Sequence, residues 1–161
     1  MKYVEHYDGE VRIRKSLRED VKYLSENLRD EDLEELRLMG TTCIESSISH
    51  GFEAPESICY TMEFKDKIVA MFGCVPVVDQ EEFKVATLWM LSTNGVKLFP
   101  KRFVRLARRY VKMFMGEYDT LMNYIHSSNT LSMKLVKGLR AELREGFHSP
   151  ATNEPFILFL I

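Results

Sequence analysis

The chain has 161 residues, 45% of them hydrophobic and 29% charged, which suits one folded domain with a substantial core. Its formal net charge of −2 and isoelectric point near 6.1 supply no basic field to gather phosphate backbones or anionic lipid, so nucleic acid and membranes are poor partners. No apolar run approaches the roughly 20 residues of a membrane span, and the charged start MKYVEHYDGE is no signal-peptide core, so a cytoplasmic location is expected.

In chain order, Val11-Arg-Ile-Arg14 alternates apolar and basic residues as a half-buried strand does. Ser16 followed by Glu19 reads as a capping box opening a helix that carries Val21, Leu24 and Leu28. From Glu31, the residues Leu33, Leu36, Leu38 and Met39 predict a second helix. It runs on through Ile44 and Ile48 to Gly51 unless Gly40 interrupts it.

After Pro55, the extended segments Ser57 to Phe64 and Ile68 to Val77 form an antiparallel hairpin about the polar Lys65-Asp66-Lys67, and Lys84 to Ser92 continues the meander. Pro100 then opens the clearest helix, with Phe103, Leu106, Ala107, Tyr110, Val111 and Phe114 on one face and Lys101, Arg105, Arg108 and Lys112 on the other, ending at Gly116. Thr120 to His126 is a strand, and Asn129 caps a helix with Leu131, Leu135 and Val136. Ala141 to Phe147 and Phe156 to Ile161 are the last two strands. The order is β-α-α-β-β-β-α-β-α-β-β, an α/β (α+β) class with a mostly antiparallel mixed sheet of six to seven strands flanked by helices, in one domain over residues 1–161.

Cys43, Cys59 and Cys74 are odd in number and lack CxxC spacing, which predicts buried, unpaired thiols. His6, His50, His126 and His148 are scattered, with no pair at the spacing of a zinc site.

The element order over this length resembles the GNAT superfamily of acyl-coenzyme A-dependent N-acyltransferases. The resemblance implies a cofactor, acetyl-CoA, whose pantetheine lies where the fourth and fifth main strands splay, and an acceptor that is a small-molecule or protein amine. It places the pyrophosphate loop at Leu91 to Arg102, with Leu91, Ser92, Thr93, Lys101, Arg102 and Asn129 as cofactor-binding residues. The family's loop pattern is glycine-rich; here it keeps only Gly95, with Lys97, Lys101 and Arg102 as alternative anion partners. The basic residues also serve as the solvated face of an amphipathic helix, and Asn129 as a plain cap.

At the position where many such enzymes carry a tyrosine that protonates the departing thiolate, this chain has Val136, which cannot donate a proton. Tyr124, Ser127 and Ser128 are the substitutes nearby. Glu63, His50 and His126 are the candidates for a general base. The run Glu117-Tyr-Asp-Thr-Leu-Met-Asn-Tyr124, with Asn129-Thr130 and the strand-like C-terminus, resembles the internal-core assembly proteins of short-tailed coliphages. That implies an alternative: a catalytically degenerate GNAT-like protein, virion-associated or in the host cytoplasm, whose partners are phage or host proteins.

Overall fold

The computed structural model describes residues 2–161 of the chain, for Asp79 the backbone only. Its elements are β1 (His6–Tyr7), β2 (Val11–Lys15), α1 (Arg18–Asn27), α2 (Asp30–Met39), α3 (Ile44–Glu53), β3 (Ile58–Phe64), β4 (Lys67–Gln80) and β5 (Phe83–Ser92). A 3-10 turn at Asn94–Leu98 leads into α4 (Pro100–Phe114), β6 (Thr120–His126), α5 (Thr130–Gly138), β7 (Glu142–His148) and β8 (Pro155–Leu160). The strands form one sheet in the order β1-β2-β3-β4-β5-β6-β8-β7, antiparallel throughout except for the parallel pair β5–β6.

The expected six to seven strands become eight, because the polar lead-in contributes the two-residue β1, paired through His6 and Tyr7 with Ile13 and Arg12. The expected second helix is two helices. Gly40 adopts a left-handed φ of 96° and donates its N–H to Arg37 O, while Thr41 N reaches Leu36 O, which ends α2 with its carbonyls satisfied. The capping box at Ser16 is also displaced by one residue. Leu17 is the N-cap and its N–H donates to Asp20 Oδ2 at 2.8 Å, while the Ser16 hydroxyl is buried against Thr61 Oγ1 at 2.8 Å. Asp20 is held against the sheet by Arg14 of β2 and by the hydroxyl of Thr61 in β3, a long-range demand that local spacing does not carry.

Strand alternation divides the core between the two faces of the sheet. Tyr60, Met62, Phe72 and Ala86 point toward α4, whose Phe103, Leu106, Tyr110 and Phe114 are buried against them as the stripe predicts. The ring of Tyr60 stacks on Phe72 at 5.5 Å and meets Tyr110 edge-on at 4.9 Å, each such pair adding about 0.5–1.5 kcal/mol beyond burial. On the other face Cys59 and Met71 pack with Val21 and Leu24 of α1 and Ile48 of α3, and Trp89 and Leu91 flank this cluster. The cysteines are free, as expected. Cys59 and Cys74 are buried, but Cys43 is exposed at the N-terminus of α3, which corrects the expectation of three buried thiols.

Candidate active site

The sheet is held together at β5–β6 over a short stretch only. Val85, Ala86 and Thr87 pair with Thr120, Leu121 and Met122, and from Leu88 and Asn123 onward the strands diverge toward their C-terminal ends. A parallel pair that parts in this way leaves a wedge that no ladder hydrogen bond crosses. One side chain spans it, with Asn123 Nδ2 donating to Leu88 O at 2.9 Å. Below the wedge, α4 and α5 close over a cavity of about 100 Å³ whose wall is largely apolar, including Leu88, Met90, Phe103, Tyr124 and Val136. A groove that shares Phe103 and Leu135 with this cavity runs between the start of α4 and α5, past Pro100, Val104 and Leu131, with Lys97 and Lys134 in its lining.

The mouth of the wedge is covered by α2. Thr152 of the β7–β8 loop donates its hydroxyl to Leu38 O at 2.6 Å, and Arg29 N donates to Ser92 O at 2.9 Å, so the helix is tied at both ends. This buries Arg29 and Asp32 and half-buries Glu35. Arg29 forks onto Asp32 through Nε at 2.9 Å and Nη2 at 2.6 Å, and the same Nη2 reaches Asn129 Oδ1 at 3.0 Å and Ser132 Oγ at 2.9 Å. Asp32 in turn accepts from Ser92 N at 2.8 Å and Asn129 Nδ2 at 3.1 Å. Arg29 Nη1 is buried and has no hydrogen-bond partner among the described residues. Glu35 lies one turn on, lines the cavity and accepts from His126 N at 3.0 Å. Burial pushes its carboxyl above the ordinary range, against the pull of the His126 N–H and Asn129.

The structure thus brings together some of the residues the sequence singles out and disperses others. Ser92 and Asn129 meet through Asp32, and Asn129 is also the N-cap of α5, accepting from Ser132 N, so its capping and site roles coexist. Thr93 accepts from Gly95 N at 3.0 Å. Gly95 sits so near β4 that a Cβ there would lie 2.4 Å from Val69, which accounts for the one loop glycine. Leu91 faces the α1–α3 side.

Lys101 is exposed in the first turn of α4, whereas Arg102 is held by Glu10 at 2.8 Å and Asp8 at 3.7 Å beside the β1–β2 turn. Among the candidate bases, Glu63 is ion-paired with Arg14 at 2.7 Å, His50 lies on α3, and His126 stands at the rim with Nε2 2.9 Å from Glu154 Oε2. Among the described residues no cluster suits a metal ion, and no helix is long and apolar enough to cross a membrane.

Sequence reasoning missed Arg29, Asp32 and Glu35. Their spacing of three along the acidic start of α2 is that of any solvated helix face, and only the docking of that helix onto Ser92 and Asn129 makes them interior.

The sequence matches no protein-family model and no curated protein. Solved structures do resemble it. An aminoglycoside N(6')acetyltransferase from Legionella pneumophila aligns over 96% of this chain and 93% of its own, with 12% identity and a TM-score of 0.70. RimL, a ribosomal L7/L12 alpha-N-protein acetyltransferase solved with coenzyme A, aligns over 96% and 94% with 7% identity and a TM-score of 0.67. The aminoglycoside acetyltransferase AAC(6')-Ib, also solved with coenzyme A, aligns over 94% of each chain with 14% identity and a TM-score of 0.64. The narrower resemblance to phage core-assembly proteins is not carried by these similarities. With its splayed β5–β6 pair and the helices that close over it, this chain has the GNAT acetyltransferase fold.

Proposed function

We propose that the protein is an acyl-CoA-dependent N-acyltransferase that moves an acetyl group from acetyl-CoA to a small-molecule or protein amine. The observation that carries this reading is the cavity in the β5–β6 wedge, lined by a carboxyl of raised proton affinity, Glu35, and a phenol, Tyr124. The apolar cavity suits the pantetheine arm, and the groove flanked by Lys97 and Lys134 suits the pyrophosphate. Ser92 and Asn129, joined through Asp32, stand nearest this path among the residues named from the sequence, whereas Leu91 packs on the opposite face of the sheet. The thioester supplies an acetyl carbon open to attack.

Burial raises the proton affinity of Glu35, which suits it to take the one proton that a neutral amine gives up as it attacks. As the carbon–nitrogen bond forms and the carbon–sulfur bond breaks, the proton leaving nitrogen goes to Glu35. The Tyr124 hydroxyl is the donor for the departing sulfur, a task that Val136, buried in α5, cannot perform.

Calorimetric titration with acetyl-CoA, followed by thiol release across a panel of polyamines, aminoglycosides and peptide N-termini, tests this. Binding with amine-dependent thiol release is the expected result, and the absence of binding overturns it. A second reading has a specific observation in its favour: Ser92 N is already taken by Asp32, and the Asn123 amide bridges the wedge to Leu88 O. On that reading the protein is a catalytically degenerate member of the fold acting in phage virion core assembly, and acetyl-CoA binds without turnover or not at all.

A further inference from the structure

At the rim of the wedge, outside the cavity wall, three side chains form a hydrogen-bonded chain: Ser128 Oγ lies 2.7 Å from His126 Nδ1, and His126 Nε2 lies 2.9 Å from Glu154 Oε2. Ser128 is exposed, the His126 ring is nearly buried and Glu154 is half exposed. The backbone settles the roles within this chain. Ser128 N–H, an obligatory donor, points at His126 Nδ1 at 3.1 Å, so Nδ1 carries a lone pair and the ring proton sits on Nε2, donated to Glu154. In that tautomer Nδ1 accepts the Ser128 hydroxyl proton. The ring is held in place by Phe156 edge-on at 5.4 Å, so the base is oriented before any substrate arrives.

We infer that Ser128 is a nucleophile activated by His126 and oriented by Glu154, and that it takes an acyl group from small activated esters or thioesters. This is the serine–histidine–carboxylate arrangement recognised by roles rather than by sequence order. In the step, Ser128 Oγ attacks the carbonyl carbon, a carbon–oxygen bond forms, and the hydroxyl proton passes to His126 Nδ1. The bond to the leaving alkoxide or thiolate breaks, and the leaving group takes that proton. Water then repeats the sequence on acyl-Ser128 and releases the carboxylic acid.

The test uses the full chain with a fluorophosphonate probe and with p-nitrophenyl acetate, and peptide mass spectrometry locates the label. Labelling at Ser128 and not at the equally exposed neighbour Ser127 is expected, with transient acetylation of the same residue by the ester. His126→Gln lowers the labelling rate about a hundredfold, the scale of a lost general base, and circular dichroism checks that the variant is folded. Glu154→Gln, at an exposed position, lowers it less and covers the case in which the histidine variant does not fold. No label on Ser128, equal label on Ser127, or a rate unchanged in the folded variants overturns the inference and leaves the hydroxyl as part of a turn before α5. No coenzyme A is present in the assay, so its outcome is separate from that of the proposed acetyl transfer.

Discussion

Two buried arginine–aspartate pairs lie in this molecule, and they differ in how completely they are satisfied. Arg14 uses every guanidinium nitrogen: Nε on Glu63, Nη1 on Asp20 and Lys15 O, and Nη2 on Asp20 and Glu63. Its partner Asp20 also accepts from Leu17 N and Thr61 Oγ1. This cluster closes on itself and ties α1 to β2 and β3. Arg29, by contrast, shares one nitrogen among Asp32, Asn129 and Ser132 and leaves another with no partner among the described residues, near a carboxylate whose proton affinity is raised and that lines the wedge cavity. A saturated pair holds a fold, whereas an unsaturated one retains polarity to spend on a guest.

The largest effect that separates the two falls on Asp20. Asp20→Ala leaves the buried Arg14 short of its counter-ion and unstops α1, and is expected to cost about 3–5 kcal/mol in urea unfolding. Burial alone would raise Asp20, but Arg14, the Leu17 N–H and Thr61 together hold it below the ordinary carboxylate value. Its contribution is therefore complete above that ordinary value and lost as pH falls through the lower folded one, and Asp20→Asn should flatten this acid limb of the stability profile.

Glu35 carries the opposite sign. Because its folded value is raised, its ionisation destabilises the fold as pH climbs from the ordinary carboxylate value through the folded one. Glu35→Gln should melt higher than the parent at pH 8 and alike at pH 4. It should also reduce amine-dependent thiol release by about 10²–10⁴-fold. Equal melting at both pH values would mean that the carboxyl is solvated after all.

A smaller effect separates the basic residues. Joint replacement of Lys97 and Lys134 by Ala should weaken acetyl-CoA binding about tenfold, roughly 1.4 kcal/mol, since both flank the groove. Arg102→Ala should leave both affinity and stability nearly unchanged, because it removes a solvent-screened pair with Glu10. A drop in affinity there would return Arg102 to the site. The smallest effect concerns thiols. Burial pushes the Cys59 thiol up to about 12 and raises Cys74 as well, whereas the Ser46 hydrogen bond lowers exposed Cys43. Ellman's reagent should therefore meet one fast thiol in the native protein and three after denaturation.

Much of the architecture is legible along the chain because it rests on short-range periodicity. The α4 stripe of Phe103, Leu106, Tyr110 and Phe114, the hairpin about Lys65–Lys67 and the Asn129 cap are each carried by residues a few positions apart. The errors occur where a distant group intervenes. Ser16 loses its capping role because Thr61 and Cys59 claim its hydroxyl, and Leu17 becomes the N-cap, its N–H held by Asp20, which also anchors Arg14. Asn129 could be named as a site residue from its place before a helix, but its partners Arg29 and Asp32 lie about a hundred residues upstream.

The amino-acid sequence by itself determined most of the order of strands and helices, short of β1 and the break between α2 and α3, together with the apolar faces and a valine at position 136, since each depends on residue type and local spacing. Only the tertiary structure decided that Arg29, Asp32 and Glu35 are interior, that Ser128, His126 and Glu154 touch, and that Arg102 turns away toward the β1–β2 turn. A charged residue looks the same in sequence whether water or protein will surround it. What fixes its proton affinity and its partners is the helix or loop that closes over it.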